Sequence, residues 1–377
     1  MFDKLVDAII DQLKDGPHPK RSSDIPAFFS LLMGRIPEPH LENPVFQDPE
    51  GSEKPFAPHY ERFIKPELQA FENKRIATVK TIRQRTIFSL CLIVVSVVMG
   101  IIFLPQDVIP PRDAIPLVFT LFVILFACWC SQPILRYRSD VKKTIFPHIF
   151  SFFGNDFRYA PESLVGIGSL EPSAILPAHD KAKLTDSIRG SHKNVTLDIV
   201  WAHLTRGKGK HNTVFKGVFI LLSMNKSFSG QTIVKLENSA KKPPKGLEKV
   251  SLEDPRFEAD FEVYSSNQIE ARYLLTPSLM DRLRGLSDLY WNARWKSQTG
   301  NSRLLGLFKN MAFLQASFYN QNLLLMLPIL NPKKRYFSTG SIFQPATFTE
   351  EIQSILEEMN LIFKIIEELK LHEKTGV

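Results

Sequence analysis

The chain has 377 residues, 44% of them hydrophobic, and a formal net charge of +8. That length has room for one sizeable folded domain beyond any membrane segment, and the apolar content excludes a polytopic membrane protein. The positive charge is not accompanied by a zinc-finger, helix-turn-helix or ribonucleoprotein pattern, so nucleic acid is excluded as a partner.

Residues 1–58 open with MFDKLVDAIIDQLK, where Phe2, Leu5, Val6, Ile9, Ile10 and Leu13 recur at helical spacing. Its polar face is slightly acidic, which suits neither a signal peptide nor a helix for an anionic membrane surface. It either docks on the protein's own body or recruits a protein partner. A Pro-rich connector, Gly16–Pro58, follows as extended chain, with IPAFFSLLMG as one short docked helix inside it.

Residues 59–154 contain the most distinctive pattern. From Pro66 a helical pattern runs unbroken into an uncharged stretch, Ile87–Leu104, and a second such stretch spans Ala114–Ser131. Each has about eighteen residues, roughly 27 Å as helix, near the thickness of a bilayer's hydrocarbon core. These arms predict a two-helix transmembrane hairpin at 87–104 and 114–131, with helical extensions forming a stalk. Lys74, Arg75, Lys80, Arg83 and Arg85 precede the first arm, and Arg136, Arg138, Lys142 and Lys143 follow the second. Such flanks predict an integral inner-membrane protein with both termini cytoplasmic. The turn PQDVIPPRD is too short to fold or to bind much. The three cysteines, Cys91, Cys128 and Cys130, all lie in the arms, which leaves no disulfide framework. Cys128 and Cys130 stand about 200° apart around a helix and cannot share a metal.

Residues 155–377 change period. NVTLDIVWAHLTR alternates as a strand, RGKGKHN reads as a loop, and VFKGVFILLSMNK and GQTIVKLE read as further strands. SLEDPRFEADFEVYSS is mixed and left partly unassigned. Thr276-Pro277 opens a helix, Thr as cap and Pro at its first position. Strands around Ala312–Tyr319 and Leu323–Leu330 follow, turning at Asn320–Asn322. A closing helix, Phe348–Leu371, starts from a capping box of Thr347 and Glu350. Its apolar residues Ile352, Ile355, Met359, Ile362, Ile366 and Leu369 step by threes and fours, and Leu356, Phe363 and Ile365 broaden the stripe. That pattern fits packing on the sheet, or a homo-oligomer through this helix. The fold class expected is therefore α+β: a transmembrane hairpin and stalk plus a cytoplasmic domain of antiparallel sheet and packed helices.

The segments FKGVFILLSMNKSFSGQTIV and LEDPRFEADFEVYSSNQIEARYLLTPSLMDRL carry Tyr264, Glu270, Arg272, Thr276 and Pro277. They resemble a family of bacterial membrane proteins catalogued as domain of unknown function 3137. The resemblance implies two adjacent spans followed by a cytoplasmic domain bearing a signature close to EARYLLTP. Asn267 departs from the acidic residue expected there, and the family supplies no agreed activity.

No catalytic motif emerges. Read as a strand, the signature would put Glu270 and Arg272 on one face as a buried pair, or as the centre of a membrane-tethered enzyme. Glu253, Asp254, Glu258, Asp260 and Glu262 lack the spacing of a calcium loop and read as a solvated surface. The nine histidines show no zinc spacing, so no metal and no cofactor is expected. Arg206, Lys208, Lys210 and His211, at the tip RGKGKH, could present cations and backbone amides to phosphate groups of an anionic leaflet. The arms offer only Ser89, Ser96 and Thr120 as polar groups, too few for a channel. The function expected is a membrane-anchored cytoplasmic adaptor that contacts anionic lipid headgroups or a protein partner.

Overall fold

The computed structural model describes residues 31–34, 44–48, 54–103, 114–207, 212–223, 227–236, 245–295, 314–328, 342–343 and 348–374. The chain divides into two compact units, one built on Phe56–Phe146 and the other on Pro147–Lys334 and Ile352–Val377.

The first unit is helical. A short helix α1 (Phe56–His59) passes through one π turn, Tyr60–Ile64, into the 39-residue α2 (Lys65–Phe103). The second long helix, α3 (Ala114–Phe150), has 37 residues. Leu68, Phe71, Arg75, Val79 and Ile82 form a buried stripe on α2, answered on α3 by Ile134, Tyr137, Val141 and Ile145. The steps of three and four are those of one helix face. Phe71 meets Tyr137 and Phe88 meets Trp129, each at 6.3 Å between ring centroids. Rising numbers on α2 thus meet falling numbers on α3, and the pair is antiparallel.

One polar group lies inside that stripe. Arg75 has no exposed surface and Glu72 has 3%. The guanidinium donates to both carboxylate oxygens of Glu72, at 2.8 and 2.6 Å, and through Nη1 to the carbonyl of Ile342 at 2.8 Å. A buried charge persists only when paired in this way. Arg75 therefore does not mark a cytoplasmic flank as its sequence neighbours suggest; its charge is neutralised inside the unit.

The transmembrane hairpin is corrected. Among the described residues, no helix is long and apolar enough to cross a membrane. The two arms are uncharged runs within α2 and α3, whose other stretches carry charged side chains, Glu67 to Arg85 on α2 and Arg136 to Lys143 on α3. Arg85 bounds the first run and Arg136 the second. The connecting turn, the N-terminal helix Met1–Lys14 and Thr347 lie outside the described residues.

The second unit holds one nine-stranded sheet, in the order β1-β2-β3-β4-β9-β8-β5-β7-β6, with every pairing antiparallel. The strands are β1 (Arg158–Glu162), β2 (Lys181–His192), β3 (Val195–Thr205), β4 (Thr213–Ser223), β5 (Thr232–Leu236), β6 (Glu248–Val250), β7 (Phe261–Ser265), β8 (Gln315–Tyr319) and β9 (Asn322–Pro328). With its helices this is the α+β class that the alternating segments implied. The helices are α4 (Pro255–Asp260), α5 (Gln268–Leu274), α6 (Pro277–Trp295) and α7 (Thr349–Lys374).

Strand β2, KAKLTDSIRGSH, shows no clean alternation because a bulge at Asp186 (φ 49°) interrupts the pleat. Its turn to β3 is the two-residue Lys193-Asn194, both left-handed (φ 49° and 65°), which matches the twist of a tight hairpin. Both faces of the sheet centre are buried. Val200, Ala202, Leu204, Phe215, Phe219 and Met326 share a cluster with Val165, Leu170 and Ile175 from the β1–β2 connection. Leu197, Ile199, Val218, Ile220 and Leu325 are buried on the other face. Two-sided burial explains why β4 and β9 read as near-continuous apolar runs. On α7 the whole stripe from Ile352 to Ile366 is buried, and Phe363 stacks on His192 at 4.2 Å.

Candidate functional site

The signature falls at the corner where β5, β7 and α5 meet. Gln268–Leu274 is a helix, not a strand, so Glu270 and Arg272 stand about 200° apart around it and are not brought together. Arg272 is exposed. The Glu270 carboxylate instead accepts the backbone N–H groups of Ser229 and Gly230, both at 2.8 Å. Gly230 is required here. A Cβ on it would lie 2.8 Å from Ser266 Oγ and 2.9 Å from Asn267 Cβ. Asn267 caps α5, its Oδ1 accepting from Glu270 N–H at 3.1 Å while its Nδ2 donates to Ser229 Oγ at 3.0 Å. An aspartate could repeat the first bond but not the second. Tyr264 donates to Glu262 at 3.0 Å, Thr276 Oγ1 accepts from Leu279 N–H at 3.3 Å, and Pro277 starts α6. Apart from Arg272, the signature's polar groups are thus occupied in holding a loop, a strand and two helix starts.

Of the tip residues, Lys208, Lys210 and His211 lie outside the described residues. Arg206 is exposed, and its backbone N–H donates to the carbonyl of Asn212 at 2.7 Å. The acidic stretch is likewise engaged locally. Asp254 caps α4, Glu258 accepts from Leu252 N–H, and Asp260 pairs with Arg284. Among the described residues no group of three potential metal ligands converges.

Cations do converge in the first unit. An open cleft of about 360 Å³ lies between α2 and α3. Lys74, Thr78, Thr81 and Arg85 line it from α2, and Pro133, Arg136, Tyr137 and Asp140 from α3. The α2 members step by four, three and four, one residue behind the buried stripe of Arg75, Val79, Ile82 and Thr86. The cleft is therefore the seam's solvent-facing shoulder. Three cations less one carboxylate leave two positive charges there. Burial raises the Tyr137 phenol to about 12, so it stays neutral and adds no negative charge.

Arg85 owes its position to a proline. In an α-helix the N–H of residue 133 would bond the carbonyl of residue 129, but Pro133 has none. Arg85 supplies the missing donor across the helix pair, its Nη1 lying 2.5 Å from the Trp129 carbonyl oxygen. The guanidinium also sits 4.9 Å from the centroid of the Trp129 ring. One of its five N–H groups is spent, leaving four for other acceptors. Lys74 lies 4.7 Å from the centroid of the Phe71 ring. Among the described residues neither Lys74 nor Arg136 forms an ion pair, and both are exposed.

Beyond Arg85 the pair turns apolar. Phe88, Leu90, Leu92, Val94 and Val95 on α2 are 45–62% exposed, and Trp129 on α3 is 39% exposed. Phe88, Leu92 and Val95 step by four and three on the face of Arg85, and such a contiguous group marks a surface that something covers, where single exposed apolar side chains are ordinary. In the sequence every cation of the cleft reads as a topology signal, and the cleft itself is not legible. The available signal was the four-three-four spacing of Lys74, Thr78, Thr81 and Arg85, together with a proline one helical turn after Trp129.

Residues 213–290 and 302–371 match the family model described as protein of unknown function (DUF3137), which supports the resemblance seen in the signature over that part of the chain. Among solved structures, the crystal structure of the mycobacterial trehalose monomycolate transport factor A, TtfA, is similar over 60% of this chain and 94% of its own. Its identity is 10% and its TM-score 0.30, a likeness too loose to carry an argument. No curated protein matches.

Proposed function

We propose that this protein is a binding module that docks on an anionic lipid surface through the α2/α3 pair. The single observation that carries the reading is the exposed apolar group of Phe88, Leu92, Val95 and Trp129, which continues the helix face of Arg85 away from a cleft of net positive charge. Apolar side chains entering the boundary between headgroups and acyl chains, with cations behind them at phosphate level, is how a surface helix gains affinity. Trp129 suits such a boundary, having an apolar ring and one polar edge. The docked face lies on the lipid; spanning is no part of the reading. An enzymatic role finds no support at the signature, because the Glu270 carboxylate is committed to two backbone N–H groups.

Flotation of the full chain with vesicles tests this. Binding is expected to vesicles containing phosphatidylglycerol and to weaken steeply with salt, and the pair of substitutions Phe88→Ser and Leu92→Ser is expected to reduce it. Equal recovery with neutral and anionic vesicles, or binding unchanged by both substitutions, overturns the proposal.

A further inference from the structure

We infer that the α2/α3 cleft is a site for a phosphomonoester, with Arg85 and Arg136 as its planar donors and Lys74 as a third cation at its outer end. The inference rests on the docking reading for the source of that group, a lipid headgroup, but its chemistry stands on the cleft alone.

The donors are of the right kind. A guanidinium offers a rigid fork that bonds two phosphate oxygens at once, and such pairs are stronger than a point-charge contact. Arg85 is held by the Trp129 carbonyl at 2.5 Å and by the Trp129 ring, so it enters binding already oriented and retains unused N–H groups. Arg136 and Lys74 have no ion-pair partner among the described residues. Thr78 and Thr81 are uncharged and offer Arg136 no ion pair, and their hydroxyls donate to the carbonyls of Lys74 and Ala77 at 2.8 and 2.9 Å. The charge count selects among phosphates. Two uncompensated positive charges match a dianionic monoester better than a monoanionic diester, which would leave one of them unanswered. Asp140, at the cleft wall, disfavours a second anion and limits the site to one phosphate group.

The test uses the full chain and three probes. These are vesicles containing phosphatidic acid, vesicles containing phosphatidylglycerol at matched surface charge, and free glycerol 3-phosphate followed by calorimetry. The natural protein is expected to favour phosphatidic acid about fivefold, the change in partition that one cation near the surface supplies. Arg136→Gln is expected to abolish that preference. Arg136→Lys, which keeps the charge and loses the fork, is expected to weaken the preference while leaving binding to phosphatidylglycerol intact. Arg136 is exposed, and circular dichroism of each variant checks that it folds. Binding to both vesicles without preference, or a preference that survives Arg136→Gln, overturns the inference and leaves the docking reading standing. Binding of glycerol 3-phosphate that requires Arg136, with no binding to any vesicle, supports the site and overturns the docking reading. Binding to none of the three probes overturns both.

Discussion

The bond from Arg85 to the Trp129 carbonyl should be worth most because Pro133 exists, and that dependence can be measured. A hydrogen bond to a charged group contributes roughly 1.5–3 kcal/mol when buried. A guanidinium over an exposed tryptophan ring adds about 0.5–1 kcal/mol. Arg85 is half-buried, so the low end of the first range applies, and Arg85→Ala should cost about 2 kcal/mol. In a Pro133→Ala background the helix regains its own N–H donor to Trp129. Arg85→Ala should then cost only the ring contact, about 0.5–1 kcal/mol. The coupling between the two positions is thus about 1–1.5 kcal/mol, above the roughly 0.5 kcal/mol scatter of independent sites. Native-state hydrogen exchange of the α3 amides after Pro133 reads the local opening free energy directly, without requiring the two units to unfold together. A coupling below about 0.5 kcal/mol would show that Arg85 does not replace the missing backbone donor, and would remove the argument for its fixed orientation.

Arg75→Ala should destabilise the helical unit by about 3–5 kcal/mol, because it leaves Glu72 charged in a dry interior; thermal unfolding of Arg75→Ala against the Glu72→Ala/Arg75→Ala pair should show the double variant recovering part of the loss. Glu270→Gln keeps one carbonyl oxygen for two backbone N–H groups, and the orphaned one should cost about 1–2 kcal/mol in urea unfolding. Gly230→Ala should cost about 1–3 kcal/mol by forcing Ser266 and Asn267 aside, and a midpoint unchanged in urea would contradict that close approach. The hydrogen bond from Lys193 Nζ to Glu367, at 2.6 Å, with a smaller contribution from His192, holds the Glu367 carboxyl below its ordinary 4.5. The stability this pair supplies is complete above that value and lost as pH falls through the lowered one. Titration of Glu367 by NMR should find its pKa rising in Lys193→Ala; no change would dissociate the carboxylate from the hairpin turn.

The strands that read most clearly in sequence were those whose neighbours protect them. β3, β4, β5, β8 and β9 occupy the middle of the sheet, so burial imposes a continuous or alternating apolar pattern on them. β1 and β2 lie toward one edge, and the bulge at Asp186 shifts the β2 pleat by one residue, which hides a period of two. The strand considered for the signature segment gives way to a helix for a related reason. Tyr264 and its neighbours do form β7, but Asn267 caps a new helix three residues on, and a short cap carries no periodicity that a window can find.

Sequence alone determined the α+β class, most of the central strands, the helix beginning at Pro277 and the apolar stripe of α7, because each depends on neighbours a few residues apart. Tertiary structure decided what the charges do. Arg75 reads like any other cation of its cluster until the fold buries it against Glu72 and Ile342, and Arg85 becomes a fixed donor only where an antiparallel partner brings Pro133 and Trp129 alongside. Lys74, Arg85 and Arg136 share one cleft although up to 62 positions separate them in the chain. The reason is physical: periodicity encodes which face of a helix turns inward, while the neighbour that face meets, and hence whether a charge is solvated, paired or left open to a ligand, is set by packing between distant segments.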